Sequence, residues 1–213
     1  YDFWKYSKEN RKSEKNSNLG IALTNEFAFR RYENKNFLKT LYFLNNEIDF
    51  YKNKWRLFQM NYNLYYICLI YDIIKNFVKR YKINLRTHVV DVESDFNFIK
   101  SRNFKYNSKI STYEWIQEQD VVISSFSFMN IDSYVFGKPH VSLMNLIPKE
   151  FFFEAYKSYS YKDFDEPNSF KPKTKEELYK IISKVKFKKN KALDKKIKSY
   201  YNFPYTEAPT KII

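Results

Sequence analysis

The sequence predicts a doubly wound α/β domain, a mainly parallel sheet with helices on both faces. Three observations lead there. From residue 82 onward, strand-like and helix-like segments alternate at short intervals. Val121, Val122 and Ile123 form an unbroken apolar run, the pattern of a strand buried on both faces. The motifs Ser111-Thr-Tyr-Glu114 and Thr174-Lys-Glu-Glu177 read as capping boxes, in which each side chain satisfies a backbone N–H left without a partner at a helix start.

Taken in order, the first strand is expected at Leu19–Thr24, an apolar run that stops at Thr24-Asn25, where polar groups at a strand end line a ligand cleft. Helices follow at Phe37–Tyr51 and Trp55–Tyr81, the second with Leu57, Met60, Leu64, Ile67, Leu69, Ile74 and Val78 near the spacing of one broad buried stripe. Lys82–Arg86 reads as a strand, Asp95–Ser101 as a short helix and Phe104–Tyr106 as a short strand. The helix opened by Ser111 should run to Gln119, and Phe128–Phe136 should follow the strand at Val121–Ile123. Gly137 stops that helix, because glycine accepts a left-handed cap, and Pro139 prevents its resumption. Val141–Met144 is the next strand. An acidic loop at Asp163–Pro167 then leads to the helix opened by Thr174.

At 213 residues the chain can build one substantial core. It is read as a linker or the end of a preceding domain over 1–18, a ligand-binding domain over 19–170, and a basic helical tail over 171–213 packed on the same domain. Because the sequence opens at Tyr1 in what reads as the middle of a protein, an N-terminal part is expected to precede it. The net charge of +14, from 38 basic and 24 acidic residues, calls for a search for phosphate-bearing partners. Lysine bias with abundant Asn, Tyr, Phe and Ile also fits a low-GC genome, and much of the charge falls between Lys171 and Lys198 on what reads as a solvated face. A single cysteine, Cys68, excludes an internal disulfide and a cysteine-based zinc site. The apolar run Leu64–Tyr71 is too short to span a bilayer. A cytoplasmic location is the expectation, with peripheral attachment left open.

Ligands of doubly wound sheets bind outside the carboxyl ends of the strands, so polar residues there are the candidates. After the strand ending near Leu85 stand Arg86 and His88, a guanidinium that can fork onto phosphate and an imidazole that can donate to an anion. The competing reading has Arg86 paired with Asp91 or Glu93, and His88 satisfying a carbonyl. After the strand at Val121–Ile123 stand Ser124, Ser125 and Ser127, whose hydroxyls suit a phosphate, although helix capping alone explains one of them. Asp132, placed in the second turn of the following helix, can accept hydrogen bonds from ribose hydroxyls or stand as an exposed carboxylate. Asp91, Glu93 and Asp95 are spaced for a divalent cation, but acidic residues before a helix are also favoured by its dipole, and no metal site is assigned. His140 reads as a packed core histidine.

Arg86-Thr-His88, Glu114-Trp-Ile116, Asp120-Val-Val-Ile-Ser-Ser125, the acidic Asp132 and Gly137-Lys-Pro139, in this order, resemble bacterial surface carbohydrate biosynthesis proteins and related polysaccharide glycosyltransferases. The pattern is also similar to Kdo, sialic acid and glycerophosphate polymer transferases of GT-B architecture. It covers Leu19–Leu146 and is most specific over Tyr113–Met144. Departures are Thr87 and Val89 around His88, where proline is common, Phe128 after Ser127, where threonine is common, and Asp132-Ser133 in place of Glu-Ala.

The resemblance implies a Rossmann-like, GT-B C-terminal-type domain that binds a nucleotide-activated sugar as substrate, with no cofactor and no metal. Arg86, His88 and the serines would neutralise charge on the departing nucleotide. The acceptor, a glycan or lipid-linked molecule, and the catalytic base would belong to an N-terminal domain. Alternatives are an inactive scaffold of the same fold, a nucleotide-sugar epimerase and a glycerophosphotransferase. A specific nucleic-acid partner is not expected, since no recognition motif accompanies the lysines.

Overall fold

The structure is a computed structural model and describes residues 18–23, 65–86, 99–107, 109–125, 129–148, 169–189, 191–192 and 194–195. Six strands, β1 (Asn18–Ala22), β2 (Lys82–Arg86), β3 (Phe104–Asn107), β4 (Val121–Ser124), β5 (His140–Ser142) and β6 (Ser169–Phe170), form one sheet. Every pairing is parallel, in the order β3-β2-β1-β4-β5-β6. That is the strand order of doubly wound α/β proteins. Described helices include α1 (65–77), α2 (Thr112–Gln117), α3 (Met129–Val135) and α4 (Lys175–Lys184), and 191–192 and 194–195 are also helical.

The period-2 alternation of the strands sorts the core into two layers. Leu19, Ile21, Leu23, Ile83, Leu85, Val121, Ile123, Val141 and Leu143 face one way and pack with α1 and α4. On α1 the buried residues Tyr66, Leu69, Ile70, Ile73, Ile74 and Phe77 fall at i, i+3, i+4, i+7, i+8 and i+11, one apolar stripe. Leu178 and Ile182 supply the α4 side. The opposite layer joins Ala22 and Val122 to Trp115, Ile116, Met129 and Phe136 from α2, α3 and the end of α3. Full burial of such side chains contributes roughly 1.5–3 kcal/mol each, so these two layers are a major source of stability for the described residues. At Gly20 the indole of Trp115 and the side chain of Gln119 come so close to β1 that an added Cβ would lie 2.9 Å from Trp115 Cη2 and 2.5 Å from Gln119 Cγ.

Local signals account for the helix ends. Ser111 Oγ accepts from Glu114 N at 3.2 Å while Glu114 Oε2 accepts from Ser111 N at 3.0 Å, the reciprocal box expected. The box also holds the Glu114 carboxyl below its ordinary range, first through the Ser111 hydroxyl and then through the Ser111 backbone N–H. Gly137, at φ 67°, ends α3: its N–H donates to Tyr134 O at 2.9 Å and that of Lys138 to Ser133 O at 2.8 Å, the paired bonds of a Schellman cap.

Several expectations need correction. The α1 helix ends at 77 and 78–80 form a turn, because Arg80 N and Tyr81 N both close back on Phe77 O. Residues 99–101 are not helical. The α2 helix stops at Gln117, and Asp132 lies in the first turn of α3, not the second. β5 starts at His140 and ends at Ser142, beyond which Met144–Leu146 form a 3-10 turn. The second capping box is half formed: Thr174 Oγ1 accepts from Glu177 N, but Glu177 Oε2 accepts from Lys173 N. The β6 strand was not anticipated, since two residues carry no period. Within the 171–213 segment, α4 packs on the same domain, with Leu178 and Ile182 in the main core. The helix at Phe37–Tyr51, the first part of the helix from Trp55, most of Asp95–Ser101 and the loop Asp163–Pro167 lie outside the described residues.

Candidate functional site

Strand order reverses between β1 and β4: the chain progresses outward through β2 and β3 on one side of β1, and through β5 and β6 beyond β4. In sheets of this order ligands bind outside the carboxyl ends of the strands beside that reversal, so the residues at those ends are the candidates. The register defines which they are. Ala22 pairs with Arg86, Ile21 with Ile123 and Ser124 with Ser142. Arg86, Ala22, Ser124 and Ser142 thus form one row across four strands, at the carboxyl edge and on the α2/α3 face. Arg86 and Ser124, one residue from each sequence cluster, stand in one row with β1 between them.

Each side chain in the row has its own environment. Arg86 Nη1 donates to Ile110 O at 2.7 Å, which ties β2 to the segment before α2. That carbonyl is neither a phosphate nor one of the carboxylates proposed as its partner. The guanidinium is half-buried, and desolvation lowers its pKa; its other N–H groups have no partner among the described residues.

Ser124 is fully buried, and its Oγ lies 2.8 Å from His140 Nε2. His140 Nδ1 in turn lies 2.8 Å from Ser169 Oγ, so a polar chain crosses β4, β5 and β6. Burial, reinforced by the charge of Lys171, lowers His140 to about 3, so the imidazole is neutral and donates through one nitrogen while accepting through the other. The histidine is a core residue, as its sequence suggested, and it engages the Ser124 hydroxyl inside the sheet. Ser125 follows at the strand end, buried and with a partner of its own. Ser142 Oγ accepts from Met144 N at 3.4 Å and turns the chain after β5.

Asp132 differs from all of these. Its carboxylate is mostly buried in the first turn of α3, just beyond the end of β4, and has no hydrogen bond or ion pair among the described residues. Desolvation raises its pKa from 3.8 to about 6. A carboxylate held this way is an acceptor for which no donor is found among the described residues. Thr24, Asn25, His88 and Ser127, together with Asp91, Glu93 and Asp95, lie outside the described residues. Among the described residues no group of three His, Cys, Asp or Glu is placed to hold a metal ion.

Sequence reasoning missed Ser142 and Ser169 as partners in the row and its polar chain. It also missed Lys138, whose Nζ donates to Gln117 O at 2.8 Å and caps the end of α2. The signal for the polar chain was the parity: His140 pairs with Val122 and so shares a sheet face with Ser124.

Together these observations define an α/β protein with a six-stranded parallel sheet whose strand order reverses between β1 and β4. No family model matches the chain, and no curated protein or solved structure matches it.

Proposed function

We propose that this chain is the nucleotide-binding domain of a glycosyltransferase-like protein of GT-B type, acting in surface polysaccharide biosynthesis on a nucleotide-activated sugar. The observation that carries the reading is Asp132, a mostly buried carboxylate with no partner among the described residues, in the first turn of the helix that follows β4, one of the two strands between which the order reverses. Its two oxygens suit the paired hydroxyls of a ribose. Arg86 at the end of β2 has donors to spare for phosphate, and fixed positive charge there would stabilise the negative charge that grows on the departing nucleotide. Ser125, with His88 and Ser127 from the sequence pattern, would complete the phosphate contacts. The resemblance assigns the base and the acceptor site to another domain, not to the residues of this sheet.

The test is a melting-temperature screen with CMP, CDP, UDP and GDP, using a chain that includes any N-terminal part. At least one diphosphate should stabilise the protein, and Asp132→Ala should weaken that effect while leaving a cooperative melt. If none of the four shifts the transition, the reading fails. A second reading, an inactive scaffold of the same fold, draws on the internal engagement of Ser124 and of one arm of Arg86; it predicts normal folding with no nucleotide response. Product analysis separates sugar transfer from epimerisation or glycerophosphate transfer.

A further inference from the structure

The chain changes sides of the sheet directly after α4. Val185 is buried in the same layer as Leu178 and Ile182, whereas Phe187, two residues on, packs with Ile131, Tyr134 and Val135 of α3 on the opposite face. The Val185 backbone is extended, with φ −66° and ψ 139°, so α4 ends there and the chain leaves it straight. The crossing runs beside Gly137, which ends α3: a Cβ at Gly137 would lie 3.9 Å from Phe187 Cε1.

Two contacts fasten this segment to α3 through Tyr134. Its ring lies 5.4 Å from that of Phe187, and its hydroxyl donates to Asp194 Oδ1 at 2.8 Å, a hydrogen bond strengthened by the charge of the acceptor. The other Asp194 oxygen lies 3.4 Å from Lys189 Nζ. With seven residues, α3 is far shorter than the ~12–15 at which a helix begins to hold in water by itself, so packing sets its position. Met129 and Phe136, at the two ends, pack into the layer of Val122 and Trp115. Ile131 and Tyr134, between them, form a separate cluster that Phe187 meets from outside the helix. Asp132 sits between those two residues in sequence, so the depth at which α3 is seated determines how far its carboxylate is withdrawn from water.

We propose that the segment after α4 is a clasp that seats α3, with Tyr134, Phe187 and Asp194 as positioning residues for the Asp132 carboxylate. They act through the helix and touch no ligand themselves. Release of the clasp lets α3 move away from the sheet and admits water to Asp132, which relieves the desolvation of its carboxyl. Lys189 is a bystander, because an exposed ion pair of this length contributes little. The consequence for ligand affinity rests on the nucleotide reading of Asp132, whereas the seat of α3 is a property of the chain alone.

The test follows the Asp132 carboxyl by NMR titration in the full chain labelled at aspartate, with Asp132→Asn supplying the assignment, and measures affinity for UDP and CDP in parallel. Wild type should titrate at about 6. The variant F187A/D194A should keep a cooperative melt, titrate about one pH unit lower, and bind the nucleotide that wild type binds about tenfold more weakly. F187L/D194N, which keeps an apolar side chain and an acceptor oxygen, should stay close to wild type in both readouts, as should K189Q. A lower melting temperature with Asp132 still titrating as in wild type would give these contacts a role in stability alone and overturn the proposal. Equal shifts in the two double variants would also overturn it. If F187A/D194A loses its cooperative melt, Tyr134→Phe decides, since it removes one hydroxyl: its titration should move the same way, and an unmoved titration overturns the clasp. Wild type that binds neither nucleotide refutes the nucleotide reading, while the titrations still decide how α3 is seated.

Discussion

Replacing Asp132 by Asn should stabilise the protein at neutral pH, which few substitutions of a mostly buried polar residue do. The folded state raises the carboxyl from 3.8 to about 6 because burial disfavours its charge and no donor among the described residues offsets that cost. Above the folded value both states are ionised, and the native state carries the whole penalty. Below the unfolded value both are protonated and the penalty is gone. The contribution is therefore fully present below pH 3.8 and lost as pH rises through about 6. A shift of just over two units corresponds to about 3 kcal/mol at neutral pH. Urea unfolding at about pH 7.5 should place Asp132→Asn up to ~3 kcal/mol above wild type, and near about pH 4 the two should nearly coincide. The gain would come with weaker ligand binding, as expected where a site holds strain for function. If the variant is less stable than wild type at neutral pH, the carboxylate has a stabilising partner and the reasoning about this site is wrong.

His140 predicts the opposite slope. Its pKa falls from 6.5 to about 3 on folding, so its contribution is complete above 6.5 and is lost as pH falls toward 3. Between about pH 6 and 4 it opposes Asp132, so wild type should show little net change there, Asp132→Asn should lose stability on acidification and His140→Gln should gain it; parallel urea curves check this. At neutral pH His140→Gln should cost roughly 1–3 kcal/mol by disturbing the Ser124 and Ser169 hydrogen bonds, with no direct effect on a ligand. Gly20→Ala should cost about 1–3 kcal/mol because its Cβ meets Trp115 and a buried Gln119, and the loss should shrink in a Gln119→Ala background, measured as a double-mutant cycle. Ser111→Ala should remove about 1 kcal/mol of stability through loss of the α2 cap, read as a lower urea midpoint with an unchanged slope.

Most of the parallel sheet was legible because its signals are local. Alternation of strand and helix from Lys82, the apolar run at β4, the Ser111 box and the Gly137 cap each depend on a few neighbouring residues, and each reappears at its expected place within a few residues. What escaped depends on contacts distant in sequence. β6 is two residues long and exists because Ser169 and Phe170 pair with His140 and Val141. The roles of the site residues were legible only in outline: the sequence identifies Arg86 and Ser124 as strand-end polar residues, but not that one reaches Ile110 or that the other is met by His140 from the next strand. Asp132 could be suspected as a ribose acceptor, but its isolation depends on how α3 seats against the sheet.

The most direct test of the account is to map nucleotide binding on the isotopically labelled protein by amide chemical-shift perturbation, with UDP and CDP titrated in turn. The account predicts saturable shifts confined to the carboxyl edge of the sheet, at Leu23, Arg86, Ser124, Ser125, Asp132 and Leu143, and their loss in Asp132→Ala. Saturable shifts centred instead on α1 and α4, or on the amino edge around Asn18 and Asp120, would contradict it.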